Sequence, residues 1–172
     1  MAAELRPDLA DAHYNLGNAL KALGRLDEAV TSYRKVVEIR PDFADAHSNL
    51  GAVYIELGQP KDAVTSYRRV LALKPDSAEV HYNLGAVLKS LGRFDEAVEA
   101  YRHALENKPD FAEAHNNLGS ILNELGQFDE AVDHFRQAVE LKPGLADAHY
   151  NLGAALKNLG QLDGALTSFR KA

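Results

Sequence analysis

Residues 12–30 read AHYNLGNALKALGRLDEAV, and this stretch decides the fold because it comes back four more times along the chain. The phrase His-x-Asn-Leu-Gly opens at His13, His47, His81, His115 and His149, each start 34 residues after the last. A fixed period of that length marks one supersecondary unit stacked on copies of itself, so the core lies between neighbours rather than in one globular centre.

Within the first unit, Ala12, Leu16, Ala19, Leu20 and Leu23 follow spacings of three and four. They predict a helix A from about Ala10 to Leu23 with one buried apolar stripe. Gly24 ends it, and Gly58, Gly92, Gly126 and Gly160 repeat the position, where a helix closes on a left-handed residue. A helix B follows from about Asp27 to Ile39, with Pro41 behind it. Asp27, Asp95, Asp129 and Asp163 suit its start, and in the second unit Pro60 fits a first turn that has no internal use for its N–H. After Pro41, Pro75 and Pro109 the acids Asp42, Asp76 and Asp110 are expected to cap the next helix A. Asp76 with Glu79 and Asp110 with Glu113 have capping-box spacing. Gly144 replaces the acid at the last junction, so helix A of the fifth unit should be the weakest capped, by about 1 kcal/mol.

Gly17, Gly51, Gly85, Gly119 and Gly153 fall inside helix A, where glycine costs about 1 kcal/mol against alanine. A large facing residue explains the cost, and Tyr33, Tyr67, Tyr101, Phe135 and Phe169 on helix B are the candidates. The aromatic stripe therefore reads as core.

The 172-residue chain is 46% hydrophobic, which excludes disorder, and its net charge of −6 is interspersed through every unit. No basic footprint for nucleic acid or an anionic membrane results. There is no Cys, so disulfides, thiol nucleophiles and thiolate metal sites are excluded. No apolar run approaches the ~20 residues that span a bilayer, and the N-terminus lacks the apolar core of a secretory signal. The chain is expected to be soluble and cytoplasmic. Pro7 holds the phase of the later prolines, so residues 1–9 read as the tail of a preceding unit. The units then run 10–43, 44–77, 78–111, 112–145 and 146–172, the last cut short in helix B, as in a piece of a longer array.

Leu16, Gly17, Leu20, Ala29, Tyr33, Val36 and Pro41 carry a resemblance to the tetratricopeptide repeat family over almost the whole chain. The resemblance implies an all-α fold, a right-handed α-solenoid of stacked antiparallel helix pairs. His13 and its equivalents depart from a frequent Trp, and Leu20, Leu88, Leu122 and Leu156 from a frequent Tyr, each exchanging one packing residue for another. More narrowly, AHSNLG at residues 46–51 and AHNNLG at residues 114–119 resemble the superhelical repeats of O-linked N-acetylglucosamine transferases and Spindly-type proteins. In that family the matching asparagines line the concave face and hold extended peptide backbones. The resemblance places this role on Asn15, Asn49, Asn83, Asn117 and Asn151, and no part of the chain resembles the transferase's catalytic domain.

The five first-helix histidines cannot share a metal, because equivalent helices stand roughly 8–10 Å apart and zinc needs each ligand within about 2.1 Å. A packed histidine making one hydrogen bond is the reading, while His103 and His134 stand isolated. Arg34, Arg68, Arg102, Arg136 and Arg170 recur, three of them with Glu38, Glu106 or Glu140 at i+4, which fits a solvated helix face or, less simply, a phosphate-binding strip. On a helical wheel Asn15 lies roughly 100° from the centre of the apolar stripe, beside Asp11, Asn18 and Ala22. Its amide either grips a ligand in a groove or bonds a neighbouring helix, and both readings stay open.

The expected function is a protein–protein interaction module, not an enzyme, with no cofactor or metal. It would hold an extended peptide or protein segment along the asparagine row, flanked by Asp11, Asn18, Tyr14, Tyr82 and Tyr150, as the recognition part of a larger protein. A self-associating scaffold, joined end to end, is the alternative, followed by a consensus-like array without a natural ligand. A chaperone-tail carboxylate is a poor ligand, since Asp11, Asp45, Glu79, Glu113 and Asp147 would repel it.

Overall fold

A computed structural model of the chain describes residues 6–172, which form ten α-helices and no strand. Helix A of each unit is α1 (Arg6–Ala22), α3 (Ala44–Glu56), α5 (Ala78–Ser90), α7 (Ala112–Glu124) and α9 (Ala146–Asn158). Helix B is α2 (Leu26–Ile39), α4 (Pro60–Leu73), α6 (Phe94–Asn107), α8 (Phe128–Leu141) and α10 (Leu162–Phe169). Contacts divide the chain into two compact parts, residues 1–87 and 88–172, with the division inside α5. In the first part α1 packs on α2, α2 on α3 and α3 on α4; in the second, α6 through α10 pack pairwise in chain order. Helix α1 takes in Pro7, which therefore does not mark a break between units as the later prolines do. Residues 1–5 of the expected preceding tail lie outside the described residues.

Each A helix meets its B helix through a tight turn whose glycine sits at φ between 69° and 78°, a region barred to most side chains. The interior glycines have the packing reason expected of them. A Cβ on Gly17 or Gly51 would lie 2.6 Å from the ring of Tyr33 or Tyr67, on Gly119 2.9 Å from Phe135, and on Gly153 2.7 Å from Phe169. Tyr33 and Phe135 are at most 1% exposed, so in these hairpins the ring fills the place of the missing side chain.

Two expectations about the helix starts are overturned. The N-caps of α3 and α7 are Phe43 and Phe111, with no side-chain cap bond, and Leu145 of α9 behaves likewise. The acids Asp42 and Asp110 fall one residue early, inside a turn in which Phe43 N–H bonds the Arg40 carbonyl at 3.1 Å and Phe111 N–H bonds Lys108 at 3.3 Å. With no side-chain cap at α3, α7 or α9, Gly144 gives the fifth unit no special weakness. What secures the junction instead is the unit's histidine. Nε2 of His47, His81, His115 and His149 lies 2.8–3.1 Å from the carbonyl of the proline six residues earlier. A carbonyl only accepts, so each Nε2 carries the proton.

One position of the apolar stripe is buried where a B helix precedes it and open where none does among the described residues. Leu50 and Leu118 are 4% and 0% exposed, whereas their equivalent Leu16 is 49% and Leu23 is 71% exposed. At the other end Leu166 and Phe169 are open, while Leu156 is buried. Burial of the tyrosines also sets an alkaline limit. Desolvation, with a smaller push from Tyr14, raises the Tyr33 pKa to about 12, and burial raises that of Tyr67. The unfolded chain loses these protons near pH 10. The stabilisation is therefore complete below pH 10 and is lost as pH rises towards about 12. Urea midpoints measured from pH 9 upward should fall steeply above pH 10, and Tyr33→Phe should flatten that fall.

Candidate functional site

The asparagine row stands at one position of each A helix. Asn15 is exposed there, while Asn49, Asn83, Asn117 and Asn151 are half-buried. In the first part of the chain Asn49 Nδ2 donates to Tyr14 Oη at 3.2 Å and to Asn18 Oδ1 at 3.1 Å, and Asn18 Oδ1 also accepts the Tyr33 hydroxyl at 2.7 Å. Three of the expected site residues are thus brought into one network, anchored from beneath by the core ring of helix B. Tyr14 is half-buried, with its ring packed 4.9 Å from Phe43, while Tyr150 is 60% exposed beside Phe169. Tyr82 is half-buried.

In the second part Asn151 Nδ2 donates to Asn116 Oδ1 at 3.0 Å and Asn158 to Asn123 at 3.3 Å. Ion pairs join Lys21 with Glu56 in the first part and Lys89 with Glu124 in the second, at 3.6 and 3.4 Å. The links between A helices, Asn49 to Asn18 excepted, join residues 35 apart, one unit plus one residue. Asn116, Asn123, Asn158, Lys21 and Lys89 were not singled out from sequence, although a separation of 35 between polar residues was the signal. Asn49 and Asn151 are therefore rungs that stitch neighbouring A helices, α3 to α1 and α9 to α7. Asn49 uses both N–H bonds in its rung, and its Oδ1 is the acceptor it carries besides.

Asp11, also an expected site residue, pairs with Arg40 at 2.5 Å, Asp45 with Lys74 at 3.1 Å, and Glu113 with Lys142 at 2.7 Å. The acid of one unit thus meets the cation closing that unit's B helix, 29 residues on. The Lys142 ammonium holds the Glu113 carboxyl below the usual carboxylate range. With these acids neutralised, the argument that the row would repel a carboxylate loses its force at Asp11, Asp45 and Glu113. The arginine row is likewise engaged, but not at i+4: Arg34 Nε bonds Tyr54 Oη at 3.0 Å, Arg102 meets Glu99 and Glu130, and Arg136 meets Asp133.

The two histidines read as isolated are not. His103 Nδ1 lies 2.9 Å from Glu106, and His134 Nδ1 lies 2.9 Å from His115 Nδ1. Burial pushes the imidazole pKa of His115 and His134 down, and the field of His115 adds to the effect on His134. Among the described residues no helix is long and apolar enough to cross a membrane.

Comparison with known proteins agrees with this architecture along the chain. Models of the tetratricopeptide repeat match residues 1–31, 42–110, 82–146 and 122–171, and one described as TPR repeat matches residues 17–58. No curated protein sequence matches. Among solved structures, the crystal structure of MamA protein is 27% identical, with a TM-score of 0.92 over 96% of this chain and 90% of that one. YrrB, described as a TPR protein with an unusual peptide-binding site, is 27% identical with a TM-score of 0.83 over 98% and 91%. PilF of Pseudomonas aeruginosa is 25% identical with a TM-score of 0.80 over 98% and 77%. The all-α solenoid of stacked helix pairs is common to them and to this chain.

Proposed function

Because the chain belongs to the tetratricopeptide repeat family, we propose that it is a protein–protein interaction module taking an extended peptide or protein segment along its A helices. The observation that carries the reading is the recurrence of one amide at the same helix-A position of every unit, Asn15, Asn49, Asn83, Asn117 and Asn151. Asp11, Asn18, Tyr14, Tyr82 and Tyr150 border the row. An amide whose N–H groups are held by the preceding unit, as at Asn49, meets a ligand with its oxygen, so the complement is a peptide's own N–H. Such contacts ignore side-chain identity and favour an extended backbone. The peptide-binding site described for YrrB supports peptide as the ligand class, and the likeness to O-linked N-acetylglucosamine transferase repeats motivates a role as the recognition part of a larger protein.

A binder selected from a display library of extended peptides tests this directly. N-methylation of alternate backbone amides should weaken it by roughly 0.5–1.5 kcal/mol for each bond lost, whereas single side-chain replacements change little. Affinity indifferent to N-methylation but abolished by one side-chain change would remove the backbone-gripping role.

A second reading, self-association, is favoured by the open Leu16 of α1, the open Leu23 behind it and the open Leu166 and Phe169 of α10. The equivalents of Leu166 in inner units are buried: Val64 and Val132 are 4% and 3% exposed, against 51% for Leu166. Exposed apolar edges of this kind recruit partners. Sedimentation of the 172-residue chain should show mass rising with concentration, and Leu166→Glu should abolish the rise. A strict monomer at high concentration eliminates the end-to-end contact.

A further inference from the structure

One helix-B position holds Ser32, Ser66, Ala100 and Ser168 in four units, and His134 in the fourth of the five. The serines fold their hydroxyls back onto a carbonyl one turn earlier at 3.0 Å, as small buried residues can. An imidazole there needs room and a partner. Half-buried His134 has both, in a cleft of about 350 Å³ that it lines with Arg102, Leu105, Glu106, His115 and Leu118. Every unit places its first-helix histidine 19 residues before this position, so the fourth is where two imidazoles meet.

We propose that His115 and His134 form a binding site for a divalent transition-metal ion, held by the two Nδ1 atoms that face each other across the α7–α8 hairpin. The carbonyl of Pro109, 3.1 Å from His115 Nε2, fixes the proton on that nitrogen and leaves Nδ1 with its lone pair aimed at His134. An outer N–H anchored on a carbonyl is the arrangement that orients metal-bound histidines. The rings lie 5.2 Å apart between centroids and are inclined by 36°. Two nitrogens at about 2.0–2.1 Å from a tetrahedral ion are roughly 3.3 Å apart, so the 2.9 Å separation has to open by only a few tenths of an ångström. His134 moves its proton from Nδ1 to Nε2, a change of tautomer without change of charge.

Among the described residues no group of three or more metal-ligating side chains gathers, so water completes the shell. Imidazole selects zinc, nickel and copper over magnesium, and a two-ligand site holds them reversibly.

Titration calorimetry of the full chain with zinc chloride, and separately with nickel chloride, should give saturable binding of one ion per chain, with no heat from magnesium. His134→Ser, the residue that three other units carry here, should weaken binding by at least about tenfold, while His103→Ala leaves it unchanged. Nitrogen NMR of the unaltered chain should show zinc shifting Nδ1 of His115 and His134 ahead of every other imidazole, a readout that does not depend on any variant folding. Absence of saturable binding, binding that survives His134→Ser, or zinc shifts confined to other histidines overturns the site.

Discussion

Replacing Phe135 with alanine is expected to destabilise the chain by about 3–5 kcal/mol, the largest single-residue effect in it. The ring is 1% exposed and rests on Gly119, whose absent side chain makes the space it fills. Removing the ring withdraws its transfer free energy and leaves a cavity that glycine cannot close. The converse change, Gly119→Ala, gains about 1 kcal/mol of helix propensity but puts a methyl 2.9 Å from Cε1 and 3.1 Å from the Ala131 carbonyl oxygen, and such overpacking costs roughly 1–3 kcal/mol. The two changes together should cost less than their sum, because the new methyl enters the vacated space.

Phe169 supplies the internal control. It bears the same relation to Gly153 but is 38% exposed, so Phe169→Ala should cost well under half as much. Urea unfolding of the four variants, followed by helix circular dichroism, checks the set. A loss below about 1 kcal/mol for Phe135→Ala would mean that the glycine-to-ring contact is not what holds the hairpin.

That contact was legible in the sequence because both partners lie in one unit and recur at one period. The left-handed glycines, Pro60 at the start of α4 and the histidine as a packed hydrogen-bonding residue were legible for the same reason. What escaped depends on how units stack. Tyr14 to Asn49, Lys21 to Glu56 and Asn116 to Asn151 are pairs 35 apart, and a wheel drawn for one helix places none of them. The same holds for the pairing of Asp11 with Arg40, which turned a suspected repulsive acid into half of an ion pair. The capping error is local: Asp42 has capping chemistry, but the turn begun at Arg40 puts Phe43 at the cap and leaves the carboxylate one residue outside. His134 escaped because it was read alone, without its position relative to His115.

Replacing Asn49, Asn83 and Asn117 together with alanine should weaken a bound extended peptide by about one to three decades, each amide contributing ~0.5–1.5 kcal/mol of net hydrogen bonding. The Asn49 rung sharpens what the experiment must separate. Asn49 also donates to Tyr14 and Asn18, so its loss leaves the Tyr14 hydroxyl and the Asn18 oxygen one donor short, although Asn18 keeps the Tyr33 hydroxyl at 2.7 Å. Those groups are half-buried or exposed, so water can replace the lost donor. Alanine in turn is the better helix former by up to ~0.7 kcal/mol per site. The two terms oppose each other at comparable size, and the folded chain should keep its stability within about 1–2 kcal/mol while its affinity falls. Urea unfolding and peptide binding measured on the same preparation distinguish the roles. Unfolding of the triple variant would make the row a structural stitch between A helices, and full affinity in a folded variant would move the groove elsewhere on the array.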